Sequence, residues 1–242
     1  MKTEILYEDG DILVVRKAAG LATQTARAGQ QDVISELKNH LEENLELTEV
    51  SEKRKLPYLG VIHRLDQPVE GLLVFGKNRR AAADLTRQLQ TKEEGGTFSK
   101  QYYAVICGNP ADAEGELTDY LYKKEGNRAA VTAEGEHPGA RRAVLRYTIL
   151  KRRPEEGLAL ADIQIDTGRF HQIRAQMAHA GMPILGDSKY GNEKSRELAR
   201  SLGIQNVALC AYCLEFMHPD SKKEMKFQIR PHGRAFSFFS QL

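Results

Sequence analysis

Residues 61–77, Val-Ile-His-Arg-Leu-Asp-Gln-Pro-Val-Glu-Gly-Leu-Leu-Val-Phe-Gly-Lys, set three chemically able side chains, His63, Arg64 and Asp66, in a polar turn that runs directly into an apolar strand. Pro68 fixes its own φ, and Gly71 opens backbone conformations closed to other residues, so the turn is held on an unusual path. A carboxylate on such a turn can act as a nucleophile, as a general base, or merely as a cap for the turn's own amides. The residue types alone leave all three open.

Other chemistries lack their parts. There is no Walker A pattern, no G-x-G-x-x-G after a strand, no H-E-x-x-H and no G-x-S-x-G. Gly95-Gly96 is not followed by the Lys-Ser/Thr of a phosphate loop. Cys210-Ala-Tyr-Cys213 falls in a predicted strand, where residues three apart point to opposite faces, and no second pair completes four ligands. His171 and His179 stand too far apart on one helix to share a metal ion. The expectation is a site with no metal and no cofactor.

The elements that must position these groups follow from periodicity. Glu4–Tyr7 and Ile12–Lys17 flank Glu-Asp-Gly-Asp and read as a hairpin. Val33, Ile34, Leu37, Leu41 and Leu45 lie near a 3.6-residue repeat, predicting a helix over Asp32–Leu47 with Asp32 near its N-cap. Glu49–Leu56 reads as an exposed loop. Strands are predicted at Leu72–Phe75, Gln101–Ile106, Ala143–Leu150 and Leu158–Ile165, with the last two paired through Arg-Arg-Pro-Glu-Glu-Gly. Helices are predicted over Ala81–Leu89 and Phe170–Ala180, the second ended by Gly181 and Pro183. Val207–Phe216 and Glu224–Ile229 form a last hairpin, turning at His218-Pro219-Asp220. Strands outnumber helices and most connections can be hairpins, which predicts an α+β fold with a largely antiparallel sheet.

Five segments, in order, resemble the RluA-type RNA pseudouridine synthases of the wider RluA/RsuA superfamily. HRLDQPVEGLLVFGKN is similar to that family's HRLD-x-x-[TS]-x-G-LL-x-x-AK signature, and YEDGDILVVRKAAGL to its opening ED…KPxGL element. Lys100–Gly108 matches K-x-Y-x-A-x-V-x-G, Thr167–Arg174 matches TGRTHQIR, and Pro183–Gly191 matches PIxGDxxYG. The departures are Ala18-Ala19 in the opening element, Val69-Glu70 for the common Thr-Ser, and Phe170 for a threonine. Glu70 is expected either to tune substrate choice or to be a solvated loop residue.

The resemblance implies a pseudouridine synthase catalytic fold, a mixed and mostly antiparallel sheet flanked by helices, and isomerisation of a uridine in rRNA or tRNA without a cofactor. It assigns catalysis to Asp66, Tyr102 and Arg174. Asp66 would stabilise or trap the electron-poor sugar, or take a proton from it. Arg174 would keep that carboxylate ionised in a dry pocket, and Tyr102 would stack on the uracil. Arg64 is the candidate to fill the gap left by the extruded base, and His63 to organise the loop. Arg169, His171 and Gln172 are further RNA or loop-supporting candidates. The resemblance begins at Tyr7, so the expectation is one catalytic domain over residues 1–242 with no separate N-terminal RNA-binding domain, acting as a monomer.

Composition agrees with such a partner. The 242 residues carry a net charge of +2. Residues 141–242 hold 17 Lys and Arg against 10 Asp and Glu, an asymmetry that hints at nucleic acid. Arg141, Arg142, Arg146, Lys151, Arg152 and Arg153 form an acid-free stretch that reads either as a solvated strand face or as a set of phosphate contacts. Three cysteines make no disulfide framework, and acids at Glu4, Glu8, Asp9 and Asp11 occupy the place of a signal peptide. The expected setting is the cytoplasm, away from membranes. A second reading is an RNA-binding or RNA-folding module whose catalysis is dispensable. A third, a hydrolase, needs a second carboxylate to activate water; Asp187 is the candidate, and its expected job is to cap a turn.

Overall fold

In the computed structural model, the described residues are 2–25, 29–46, 57–91 and 96–239. The loop expected over Glu49–Leu56 lies outside them, as do Leu47 and Gly95. The chain divides into two compact units, residues 1–99 with 213–229, and residues 100–212 with 230–242.

In the first unit, β1 (Glu4–Glu8) and β2 (Ile12–Lys17) form the expected antiparallel hairpin. Asp9 closes it by accepting the amide hydrogens of Asp11 and Ile12, each at 2.8 Å. Asp32 caps α1 (Val33–Glu46) from just outside the helix, its Oδ1 taking the Ser35 N–H at 2.7 Å. A short β3 (Gly60–Val61) pairs with β4 (Glu70–Gly76). β4 and β2 are buried along their whole lengths, which is why both read as unbroken apolar runs rather than alternating ones. Their antiparallel register sets Ile12 opposite Gly76 and Lys17 opposite Gly71. That register carries Lys17 to the turn that bears Asp66. Asn78 caps α2 (Arg79–Gln90) by accepting from Ala81 N at 2.9 Å. The core joins Ile12, Val14, Leu72, Val74, Leu85, Phe98 and Phe216.

The second unit begins its strands with β5 (Ser99–Cys107). β6 (Glu114–Lys124) and β7 (Arg128–Thr132) form a hairpin that the sequence reading missed. β6 alternates between exposed and half-buried residues, with Leu121 alone among them fully withdrawn, so its apolar signal is thin. β8 (Arg141–Arg153) and β9 (Leu158–Ile165) pair as expected, but β8 begins earlier and ends later than its apolar run. Pairing with β6 and β9 carries the strand through its basic residues at both ends. α3 (Gln172–His179) starts two residues later than expected, because His171 adopts a left-handed φ of 52° that a helix cannot contain. α4 (Glu193–Ser201) was also missed; it is a polar surface helix that buries only Ser195 and Ala199. β10 (Leu209–Met217) supplies its first residues to this unit and its last to the other, where it pairs with β11 (Glu224–Gln228) in the expected final hairpin. Strand order here is β10-β5-β9-β8-β6-β7.

The fold is therefore α+β, with every ladder of known register antiparallel. Among the described residues, no helix is long and apolar enough to cross a membrane. Phe98 is fully buried, edge-on to His63 at 5.7 Å and stacked on Phe216 at 6.0 Å. Phe98→Ala is expected to cost about 3–5 kcal/mol in urea unfolding, because it empties a buried space between His63 and Phe216.

Candidate active site

The Asp66 turn is clamped on both sides. Before Asp66, Thr23 Oγ1 donates to Leu65 O at 2.9 Å and accepts from Leu65 N at 3.2 Å. After it, Gln67 O accepts from Gly20 N at 2.8 Å and from Lys17 Nζ at 3.1 Å, while Gln67 Nε2 donates to Gly20 O at 3.0 Å. The carbonyl of Asp66 itself accepts from Val69 N at 3.0 Å, closing the Asp-Gln-Pro-Val turn. Gly71 then takes φ 134°, a conformation that suits glycine, as the chain enters β4. The carboxylate stands half-buried on a backbone that has little freedom to move.

Lys17 is fully buried beneath this turn and also donates to Leu21 O at 2.7 Å and Ala18 O at 3.0 Å. Burial pushes its pKa down to about 7, while the charges of Asp66 and Glu70 pull the other way. Glu70 is neither solvated nor in a loop: it begins β4, is buried, and lies 3.6 Å from the buried Arg16. The departure from the family pattern at residue 70 is thus an internal ion pair. The links from Lys17 to Gln67, from Thr23 to Leu65 and from Arg16 to Glu70 were missed, because each joins residues 42 to 54 positions apart.

His63 is buried, packed on Phe98, with Nε2 accepting from Val74 N at 3.4 Å. It is thus held inside the unit, between Phe98 and the backbone of β4. Arg64 is exposed and lines a cavity of about 290 Å³ with Thr23, Gln24, Thr25, Gln30 and Gln67.

In the second unit, Tyr102 is buried on β5, in register with Ile163 of β9. Arg174, inside α3, donates Nε to Asp187 Oδ2 at 2.7 Å and Nη2 to Asp187 Oδ1 at 2.9 Å. Both side chains are almost wholly withdrawn from water. Asp187 Oδ1 also accepts from Lys189 N at 2.9 Å and Tyr190 N at 3.1 Å, so the expected turn cap is present. Its second role, as carboxylate to a buried arginine, was missed. The signal available was that a buried guanidinium demands such a partner.

Gln172 is buried, and its amide is used internally. Oε1 accepts from Thr167 Oγ1 at 2.8 Å and Arg169 N at 2.9 Å, and Nε2 donates to Val144 O at 3.0 Å. Of its two expected roles, the structure supports the loop-supporting one. Arg169 is exposed and donates Nε to Arg142 O at 3.0 Å. His171 Nδ1 shares a 2.8 Å hydrogen bond with the Tyr190 hydroxyl, which also accepts from Ala129 N at 2.6 Å. Tyr190 in turn has the Arg174 guanidinium 5.2 Å from its ring centroid.

The basic stretch is less available than its composition suggests. Arg146 bonds Glu116 at 3.1 Å and Asp166 at 2.7 Å. Arg153 pairs with Glu156 and donates to Phe238 O at 2.6 Å, and Arg152 donates to the carbonyls of Pro110 and Asp112 at 3.4 and 3.1 Å. Arg146, Arg152 and Arg153 are thus engaged within the protein.

The first unit thus presents a half-buried carboxylate on a clamped turn, and the second a buried tyrosine and a buried arginine–aspartate pair. Residues 11–179 match the family described as RNA pseudouridylate synthase, and the chain belongs to that family. It is 33% identical over 189 residues to the uncharacterized RNA pseudouridine synthase YhcT of Bacillus subtilis, which covers 78% of this chain and 57% of YhcT. It is 32% identical over 228 residues to the ribosomal large subunit pseudouridine synthase D of Zymomonas mobilis, covering 93% of this chain and 68% of that protein. The chain thus spans little more than half the length of the first relative and about two thirds of the second. The fold is shared with human RNA pseudouridylate synthase domain containing 1, at a TM-score of 0.72 and 18% identity, over 95% of this chain and 83% of that one.

Two outcomes follow from this geometry. Asp187→Ala leaves Arg174 as an uncompensated buried charge and is expected to lower stability by about 3–5 kcal/mol in denaturant unfolding. Lys17 gives up its proton near pH 7 when folded and at its ordinary 10.5 when unfolded. Between these values the unfolded chain binds more protons, so this group's contribution to stability rises with pH and is lost as pH falls through 7. The melting temperature of Lys17→Met, followed against pH, is expected to lack that part of the slope.

Proposed function

We propose that the chain converts a uridine in structured RNA, rRNA or tRNA, to pseudouridine without a cofactor. The observation that carries this is the doubly clamped Asp66 turn in a chain of this family. The reaction breaks the N1–C1′ glycosidic bond, turns the uracil and rejoins it through C5, releasing the C5 hydrogen as a proton while N1 gains one. It needs no redox partner and no phosphate transfer. Its electron-poor sugar does need a carboxylate, whether to trap C1′, to stabilise it or to take a proton from the sugar.

In this reading Asp66 is that carboxylate, and the clamps at Leu65 and Gln67 keep it aimed while the base turns. Arg174 supports its ionisation, Tyr102 stacks on the uracil, and Arg64 fills the space the extruded base leaves. His63 and Gln172 hold the loops that carry these groups. The two units act as one catalytic domain, as a monomer, on the RNA of the cytoplasm.

Asp66→Asn keeps side-chain size and hydrogen-bonding reach but removes the charge. With rRNA and tRNA transcripts carrying 5-tritiated uridine, tritium release is expected to fall to background, while RNA affinity stays within about tenfold, or ~1.4 kcal/mol. Substantial release by the folded variant would sink this mechanism. Release by neither variant nor wild type would favour an RNA-binding module.

A further inference from the structure

Phe170 is a large apolar residue left 39% exposed. It stands where the family's TGRTHQIR pattern has a threonine, a side chain with no face to stack on. The ring of His171 lies on it, with centroids 3.8 Å apart and planes 21° apart. His171 is itself held by Tyr190, edge-on at 5.6 Å and through the 2.8 Å bond to its hydroxyl. Tyr190 packs against the Arg174 guanidinium. A line of stacked groups thus runs from the buried Arg174–Asp187 pair out to solvent, and Phe170 is its exposed end.

The surroundings of that end are cationic. Lys123 Nζ, from exposed β6, lies 5.3 Å from the Phe170 ring centroid. Arg169 precedes it in the chain and is tied to the backbone of Arg142, another exposed arginine. A ring held from behind by His171, with exposed cations beside it, matches a nucleotide, which presents a flat π-face and an anionic phosphate together. A protein partner of apolar chemistry would call for a wider apolar surface than one ring among cations.

We propose that Phe170 is a stacking platform for an unpaired nucleobase of the RNA substrate, with the Lys123 ammonium leaving the ring to meet that nucleotide's phosphate. The proposal rests on reading the chain as an RNA-modifying enzyme and adds to it a residue that selects for unpaired RNA. An exposed ammonium gives up an aromatic face readily, whereas a base gains by covering one.

The chain has no tryptophan, so Phe170→Trp installs a single tryptophan at the platform, excited apart from the nine tyrosines at the red edge. Titration with a short single-stranded RNA of mixed sequence is expected to quench that fluorophore, with tritium release retained. Phe170→Thr is expected to raise KM for RNA transcripts about tenfold with kcat unchanged. A fold-wide effect would lower both kcat and the melting temperature. Lys123→Gln is expected to flatten the slope of log affinity against log salt by about 0.7, one phosphate's share on a single strand. An unquenched tryptophan and an unchanged KM for Phe170→Thr, in a chain that still releases tritium, overturn the platform and leave the catalytic reading intact. Quenching in a chain that releases no tritium upholds the platform and overturns the catalytic reading instead. Should Phe170→Thr fail to fold, the tryptophan titration decides alone.

Discussion

Arg174 and Asp187 are both removed from water, and neither charge is tolerable there without the other. Continuum reasoning makes such a pair expensive to form and more expensive to break, so its value lies in the geometry it enforces. Here the pair is bidentate, and the same carboxylate holds two amides of the 187–190 turn. One carboxylate therefore ties the first turn of α3 to that turn and fixes Tyr190, against which His171 packs edge-on, with Phe170 stacked on His171 in turn. His171 can hold a left-handed backbone only because its ring has these partners on hand.

The Asp66 turn meets a similar demand with different means. There the tether is the backbone: the carbonyl and amide of Leu65 are taken by Thr23, and the carbonyl of Gln67 by Gly20 and Lys17. An ammonium with three donors is suited to gathering three carbonyls at one buried point, which a shorter polar residue could not reach. Arg16 and Glu70 add an internal pair at the start of the strand that follows. Three buried charged side chains, Arg16, Lys17 and Glu70, thus lie around the base of this turn.

The basic stretch shows how composition misleads when geometry is unknown. Six cations without an acid between them suggest a surface ready for phosphate. The acids that answer Arg146 come from β6 and from the end of β9, and Glu116 lies in the hairpin that the sequence reading missed. Local counting cannot see a neighbour that arrives by strand pairing.

What the sequence by itself determined is whatever local pattern carries. Apolar runs located β1, β2, β4, β5, β8, β9, β10 and β11, a 3.6-residue repeat located α1, and the segments between turn signals located α2 and α3. The order of five motifs identified the family and singled out Asp66, Tyr102 and Arg174. It stopped where signals were weak or partners distant. β6 and β7 carry few buried residues, and α4 is polar nearly throughout. Only the tertiary structure decided that Asp187 answers Arg174, that Lys17 gathers the carbonyl after Asp66, that Glu70 is an internal ion and that Gln172 is a brace. Each of these depends on burial and on a hydrogen bond between residues far apart in the chain or on separate elements, and no local spacing encodes which distant group will arrive.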